Sequence, residues 1–471
     1  MKRNHIFAIA LISISLFASC ADSLDKEPRL SLTNKEIFSD QSHIESNLLG
    51  LYGSAKSIIG LRLFDFNVAR GDEFINQSVN NNEAISSYEM TVGQTSGDNT
   101  QTWTGLYQTI NNVNTFLANI ESAKALAGGN YSQWVAEAKF VRALSYYYLN
   151  DLYAQPYVLD KNAKSVPLRL QAENTTGNND LKRSTVSEVY TQILDDLSDA
   201  NIASLPSTTN SYDAVTRATQ AAAHVLRQRI YMEQEDWSKA IEEGLAVKGY
   251  ALENDIASVF ASPYITGETI FSFPMSETNR GERQSAPAYY FYDGTRFVID
   301  FTSGILSKQA YSLPADARVG KLTSKVGTQP ISTKFKDSQN YLDWSPIFRY
   351  AEVLLNLAES YFQNGDEPSA LKYLTQVRRR SIKEEDDVLD LNALSGNSLK
   401  ETIINERRAE FIGEGIRSLD IHRRGEDYIK QGGTVKEIRI TPQTNGYIWP
   451  IPTIERSANK LIEDLANSKK K

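Results

Sequence analysis

Cysteine is nearly absent from this chain: one residue, Cys20, stands among 471. A lone cysteine cannot close an intrachain disulfide, so oxidative cross-links contribute nothing to the fold. Histidine is scarce as well, and His5, His43, His224 and His422 lie too far apart for the ligand spacing of a zinc site. No acidic loop has calcium-ligand spacing, and no nucleophile elbow or metal-binding helix motif occurs. Neither a metal nor a cofactor is expected, and the chain does not read as an enzyme. Basic tracts are missing apart from Lys469 to Lys471, and the formal net charge is −8, which argues against nucleic acid as a partner. Long apolar runs are lacking too, with one short exception at the start.

That exception follows Lys2 and Arg3 and runs from Ile6 to Phe17, ending in Ala18, Ser19 and Cys20. It is too short for a stable membrane span and reads as an export signal, residues 1–19, that is removed before Cys20. A cysteine directly after small residues suits cleavage followed by acylation of its sulfur and of the new amino terminus, so Cys20 is the expected lipidation site. Several acyl chains hold a protein at a membrane surface without a spanning helix, because each buried methylene adds about 0.8 kcal/mol. Residues 20–32 are polar, contain Pro28 and lack a period, as a tether would; ordered structure is expected from about Thr33. Residues 33–471 are then one domain, with an N-terminal part over about 33–250 and a C-terminal part over about 265–465.

Helical periodicity dominates wherever a period is readable. Trp103, Leu106, Tyr107, Ile110, Val113 and Leu117 mark one buried face, and Ala138, Val141, Leu144, Tyr148 and Leu152 mark the next, with Gly128 and Gly129 between them. Two antiparallel helices are the natural packing. The unit returns at Thr216 to Met232 with Ser238 to Val247, and at Ile347 to Phe362 with Pro368 to Arg380. In the last pair Leu354, Leu357, Ala358, Tyr361, Ala370, Leu374 and Val377 keep the offsets of the tetratricopeptide repeat, whose period is about 34 residues. The earlier pair keeps Tyr231 and Ala240 but carries Gln228 where a small residue belongs. Further amphipathic helices are expected at Ser184 to Asp199, capped by Ser184 or Thr185 with Glu188, and at Ser398 to Gly413. The predicted fold is mainly α: tetratricopeptide-like helix pairs forming one α-rich domain with long irregular, partly β insertions.

Those insertions, Phe74 to Thr102 and Thr266 to Tyr341, are where binding is expected, since long loops on a rigid frame tend to carry function. In Pro287 to Phe297 the candidates are Tyr289, Tyr290, Tyr292 and Arg296: aromatic faces stack on sugar C–H faces while hydroxyls bond their edges. Were this segment a strand, Tyr290 and Tyr292 would share one side and Tyr289 and Phe291 the other. The second cluster holds Arg70, Asp72, Asn76, Gln77, Asn80, Asn81, Asn82 and Tyr88, whose paired donors and acceptors suit vicinal hydroxyls or a peptide backbone. A solvated loop has the same composition.

Glu406, Glu410 and Glu414 lie on one helical stripe. Paired carboxylates are the machinery of glycosidases, but Arg407, Arg408 and Arg417 are interleaved here, and charge pairing accounts for the pattern. Arg142 and Arg349 read likewise as packing and ion-pair residues.

Five motifs in order resemble the SusD/RagB lipoproteins of the Bacteroidetes: the signal ending at Cys20; Ala136-Glu137-Ala138-Lys139-Phe140-Val141-Arg142-Ala143 leading to Asp151-Leu152-Tyr153; Phe348-Arg349-Tyr350-Ala351-Glu352; Asn405-Glu406-Arg407-Arg408-Ala409-Glu410-Phe411 running through Gly415, Arg417 and Leu419-Asp420-Ile421; and Tyr447-Ile448-Trp449-Pro450-Ile451-Pro452 with Asn459. The resemblance covers Cys20 to about Leu461; the C-terminal tail departs from the family's usual Asn-Pro-rich ending. It implies a cell-surface protein anchored to outer-membrane lipid through Cys20. Such a protein captures a nutrient, an oligosaccharide or in some members a peptide, and passes it as a hinged lid to a SusC-like TonB-dependent transporter, with no covalent chemistry. Two other classes compete. A lipid-anchored tetratricopeptide scaffold would carry its binding residues on the helical face, and a secreted hydrolase would need an isolated acidic pair.

Overall fold

In the computed structural model of the chain the described residues are 37–77, 83–175, 177, 179–431 and 437–462. Cys20, the 20–32 tether, the expected start at Thr33, and Asn80, Asn81 and Asn82 lie outside them. The longer helices are α1 (Gln41–Ala55), α2 (Phe64–Arg70), α3 (Gly97–Ile120), α4 (Tyr131–Tyr153), α5 (Val186–Asp196), α6 (Gln220–Glu233), α7 (Trp237–Ala246), α8 (Tyr350–Gln363), α9 (Glu367–Ser381), α10 (Gly396–Glu410) and α11 (Ile416–Arg424). Short strands are β1 (Phe74–Asn76), β2 (Thr269–Phe273), β3 (Phe297–Ile299), β4 (Thr323–Val326), β5 (Gln329–Ser332), β6 (Ser345–Arg349), β7 (Tyr428–Lys430) and β8 (Ile438–Ile440), joined in antiparallel pairs β1·β3, β2·β6, β4·β5 and β7·β8. The α-rich fold read from periodicity is the fold observed.

The apolar stripes of α3 and α4 face each other: Trp103, Leu106, Ile110, Val113, Leu144 and Leu152 are all buried in one core that runs from Ile44 to Ile451. Matched charges are set within it. Arg142 donates to both oxygens of Asp196, at 2.8 and 2.5 Å, and Glu137 accepts from Tyr52 at 2.8 Å and from Arg217 at 2.9 and 2.8 Å. Helix α5 starts with the expected capping box, in which Thr185 accepts from the Glu188 amide and the Glu188 side chain accepts from the Thr185 amide.

The repeat-like pairs α6–α7 and α8–α9 each turn through an aspartate N-cap, Asp236 and Asp366. Gln228, oversized for its position, is accommodated by a glycine on the facing helix: a Cβ at Gly244 would stand 2.2 Å from Gln228 Nε2 and 2.7 Å from Leu357 Cδ2. Its amide is satisfied by Ala240 O at 3.2 Å and Asn356 at 3.0 Å. The small residue has moved from one helix of the pair to the other.

Several boundaries differ from the sequence reading. Helix α8 begins at Tyr350, not Ile347, because Ile347 to Arg349 belong to β6, which pairs with β2 through Phe348 and Arg349; α6 begins at Gln220, capped by Thr219; and α5 stops at Asp196. The 74–102 stretch is not wholly irregular, for it holds β1, a short helix at Glu83–Tyr88 and the first turn of α3. Tyr289 to Phe291 are helical rather than extended, in a short helix Pro287–Phe291 whose first position is the proline, where its fixed φ and missing N–H cost nothing.

Residues 274–344 form a lobe that leaves and rejoins the helical frame through the β2·β6 pair, with Phe273 opposite Ser345. At this neck α1 continues into a π-helical stretch, Lys56–Leu63, where a side chain on Gly60 would meet Phe273 at 2.7 Å. Lys56 reaches into the lobe and donates to Pro274 O, Asn279 O and Asn279 Oδ1 at 3.0, 2.7 and 2.8 Å; burial lowers its ammonium to about 8.

Candidate functional site

Strand pairing unites the two clusters singled out in the sequence. Phe74, Ile75 and Asn76 lie opposite Ile299, Val298 and Phe297, and the Gln77 amide donates to Arg296 O at 2.6 Å. Rings seal the joint: Phe74 and Phe291 are 5.0 Å apart, Tyr88 and Phe297 5.6 Å.

Most of the expected ligand contacts serve instead to hold this joint together. Arg70 is buried at the end of α2, where its guanidinium donates to Asp151 at 2.8 Å and Asn67 at 3.3 Å. Asp72 accepts from Arg417 at 2.7 and 3.0 Å. Burial works against its charge, but Arg417 and then Arg408 outweigh it and hold the carboxyl at about 2. Asn76 is buried within β1. Tyr88 is buried and donates to Gln431 O at 2.5 Å, and burial raises its phenol to about 12. Lys430, wholly buried, crosses beneath to donate to Ala69 O and Tyr88 O at 2.7 and 2.9 Å. Tyr290 is buried with its hydroxyl on Gln284 O at 2.7 Å. Arg70, Asn76, Tyr88, Tyr289 and Tyr290 therefore leave the ligand-facing set, because their side chains are buried.

What reaches the surface is a rim. Behind it the buried Tyr289 ring meets the guanidiniums of Arg296, 3.5 Å from its centroid, and Arg283, 5.1 Å away. Arg296 is half-buried, pairs with Asp293 and donates to Tyr289 O at 3.1 Å; Tyr292 is half-buried beside it. Gln77, Arg283 and Thr295 are exposed around them. This patch offers the phenol of Tyr292, the guanidiniums of Arg296 and Arg283 and several neutral hydrogen-bonding groups.

The carboxylate stripe of α10 is structural. Glu406 accepts from Arg318 at 2.6 Å and Arg378 at 3.0 Å; Glu410 from Arg349 and Arg380, each at 2.5 Å, and Arg318 at 3.1 Å; Glu414 from Arg349 at 2.7 Å and Lys334 at 2.5 Å. Every carboxylate oxygen has a cation, and all three residues are buried. Burial opposes the charge of Glu410, yet Arg380, Arg349 and Arg318 drive its carboxyl well below the usual range. No oxygen remains for acid–base work. Sequence reasoning missed the partners Arg318 and Lys334, which come from the aperiodic lobe and carry no local signal.

Two clefts open elsewhere among the described residues. One, of about 300 Å³, lies on the repeat face between Trp237, Phe362, Ile404, Lys400 and Arg424; the other, about 320 Å³, lies along α3 beside Tyr107, Asn111, Arg169 and Glu173. Behind the first, Glu233 is fully buried near Tyr147, whose hydroxyl is 3.4 Å away, and burial together with Asp151 pushes its carboxyl up to about 8.

Comparison with known proteins accounts for this architecture. The family model described as "Starch-binding associating with outer membrane" matches residues 22–232, and the SusD family model matches residues 317–467. A crystal structure of a SusD superfamily protein from Bacteroides fragilis is 46% identical, covers 91% of this chain and 100% of its own, and superposes with a TM-score of 0.88. The chain belongs to the SusD family. A second SusD superfamily structure, from Bacteroides thetaiotaomicron, shares the fold at 22% identity with a TM-score of 0.78, covering 90% of this chain and 99% of its own. SusD-like protein P25 of Formosa agariphila is 24% identical over 98% of both chains. SusD-family proteins are binding proteins rather than enzymes, in keeping with the neutralised carboxylates of α10. No helix among the described residues is long and apolar enough to cross a membrane.

Proposed function

We propose that the chain is a cell-surface nutrient-binding lipoprotein, acylated at Cys20 and held on the outer membrane, that captures an oligosaccharide and delivers it as a lid to a SusC-like TonB-dependent transporter. Peptide is the alternative cargo. The observation that carries the reading is full-length similarity to a SusD superfamily structure, together with a family description that couples starch binding to the outer membrane. The rim of Tyr292, Arg296, Arg283 and Gln77, with the buried Tyr289 behind it, is the surface we assign to the ligand. Its guanidinium, phenol and amide groups suit sugar hydroxyls, and it lies where two loops distant in the sequence are pinned together by β1 and β3.

Isothermal titration against oligosaccharides and mixed peptides tests cargo: saturable sugar binding weakened by Tyr292→Ala supports the reading, and peptide binding alone reassigns the cargo. Labelling with a fatty-acid analogue, lost in Cys20→Ser, tests the anchor, and co-purification with a transporter tests the partner. The scaffold alternative draws on the cleft of about 300 Å³ at Trp237 and Phe362 on the repeat face. A protein partner lost on Trp237→Ala, with no sugar or peptide bound, would favour it. Turnover of any glycan or peptide would defeat the binding-protein reading outright.

A further inference from the structure

Helices α4, α6, α8, α10 and α11 converge behind the cleft at Trp237, and the last turn of α6 stands at their meeting point. Arg229 and Glu233 lie one turn apart on the same face of α6, a spacing at which opposite charges ordinarily meet. Here no hydrogen bond joins them. Among the described residues, Nη1 of Arg229 and Oε2 of Glu233 have no hydrogen-bonding partner, although both residues are buried, with 6% and 2% of their surface exposed. A buried donor and a buried acceptor left unmade are each costly, and native interiors seldom tolerate them.

Other partners hold the two side chains apart. Arg229 donates through Nε and Nη2 to the two oxygens of Glu352 at 2.6 and 2.8 Å and through Nη2 to Ile347 O at 2.8 Å, with its guanidinium 4.6 Å from the centroid of the Phe348 ring. Oε1 of Glu233 accepts from Tyr147 at 3.4 Å.

Both residues line a cavity of about 10 Å³, room for about one water. The remaining polar groups of its wall are engaged elsewhere. Asn356 donates to Gln228 at 3.0 Å and accepts from Arg407 at 2.5 Å. Asp420 accepts from Arg407 at 2.8 and 2.9 Å and from Arg423 at 3.0 Å, and Arg423 donates to Glu359 at 2.8 and 2.5 Å. An occupant therefore has one guanidinium N–H and one carboxyl oxygen to satisfy. A water accepts from the first and serves the second in either protonation state, as donor when Oε2 is bare and as acceptor when it carries the proton. A cation would face the guanidinium, and an anion such as chloride is larger than the space. Met232 and Arg423 line both this cavity and the cleft of about 300 Å³, which puts a route to solvent beside the site.

We propose that one internal water is bound between Arg229 Nη1 and Glu233 Oε2. It closes a continuous hydrogen-bonded chain from Tyr147 on α4, through Glu233 and Arg229 on α6, to Glu352 on α8. The first repeat-like pair is thus joined to its neighbours through a solvent molecule built into the fold, whatever cargo the protein carries.

Crystals of the full chain at a resolution that shows ordered water, together with magnetic relaxation dispersion of water deuterons in solution, provide the test. The expected result is a single water peak within hydrogen-bond distance of both atoms. It persists in Glu233→Gln, whose amide still offers a donor and an acceptor, and is lost in Glu233→Met, which has one fewer long-lived water in solution. A dry cavity in the wild-type crystal, a direct Arg229–Glu233 contact, or a peak with the density of an ion overturns the proposal. So does an unchanged number of long-lived waters in Glu233→Met. Should that variant fail to fold, the wild-type and Glu233→Gln crystals decide alone.

Discussion

The helical frame and the lobe of residues 274–344 contribute to one apolar core, yet they are fastened by different kinds of contact. Frame helices meet through stripes of Leu, Ile, Val and Ala repeated at helical spacing, as α3 does against α4. The lobe adds charged clamps to its apolar contacts: Arg318 and Lys334 reach out of it to Glu406, Glu410 and Glu414, and Arg349, at the neck, binds Glu268, Glu410 and Glu414 together. Apolar stripes tolerate sliding and repacking, whereas a buried ion network has one satisfactory geometry. Removing one partner leaves uncompensated charge. The lobe is thereby fixed in place without a periodic sequence of its own.

The contrast breaks most severely at Arg349. Arg349→Ala takes one cation from each of three buried carboxylates, leaving Glu268 and Glu410 on Arg380 and Glu414 on Lys334, and is expected to destabilise the protein by about 3–5 kcal/mol, seen as a lowered denaturation midpoint. An apolar truncation in the frame such as Leu117→Ala, at a partly buried position, should cost less.

Glu233 sharpens the comparison from the side of the frame, because there a buried carboxyl is held neutral and not paired. Its folded value of about 8 lies well above the ordinary glutamate value of about 4.5. Between those two pH values the unfolded chain has lost a proton that the folded chain keeps, so stability falls as pH rises and levels off above about 8. Glu233→Gln should flatten that decline, leaving the variant relatively more stable at pH 8 by a few kcal/mol at most, on the order set by linkage. Melting curves from pH 5 to 9 measure it, and an unchanged slope would refute the assignment.

Gly244→Ala comes next. The new methyl overlaps Gln228 and Leu357, which predicts a loss of about 1–3 kcal/mol in chemical denaturation, largely restored by adding Gln228→Ala. Smallest in stability is Tyr292→Ala at the rim, within about 0.5 kcal/mol, with its effect confined to ligand titrations.

The same division decides what was legible in the sequence. Helices α3, α4, α8 and α9 announce themselves because burial on one face imposes a period, and the α10 stripe reads as paired because arginines are interleaved with it. The rim was only half legible. Composition located the two loops that β1 and β3 bring together, but it could not tell Tyr290, which faces inward, from Tyr292, which does not, since Pro287 starts a helix where alternation would indicate a strand. Arg70 and Tyr88 look like ligand residues for the same reason that they make good internal braces: each brings strong donors to a crowded place.

Entry and exit of the lobe on adjacent strands give it the topology of a cassette. Because Phe273 and Ser345 are partners across the β2·β6 ladder, a different lobe could be spliced between them without rethreading any frame helix. The splice has one electrostatic condition: whatever replaces residues 274–344 must bring its own cations to Glu406, Glu410 and Glu414. The helical frame thus keeps a fixed socket of negative charge as the key that any segment exchanged at this place must fit.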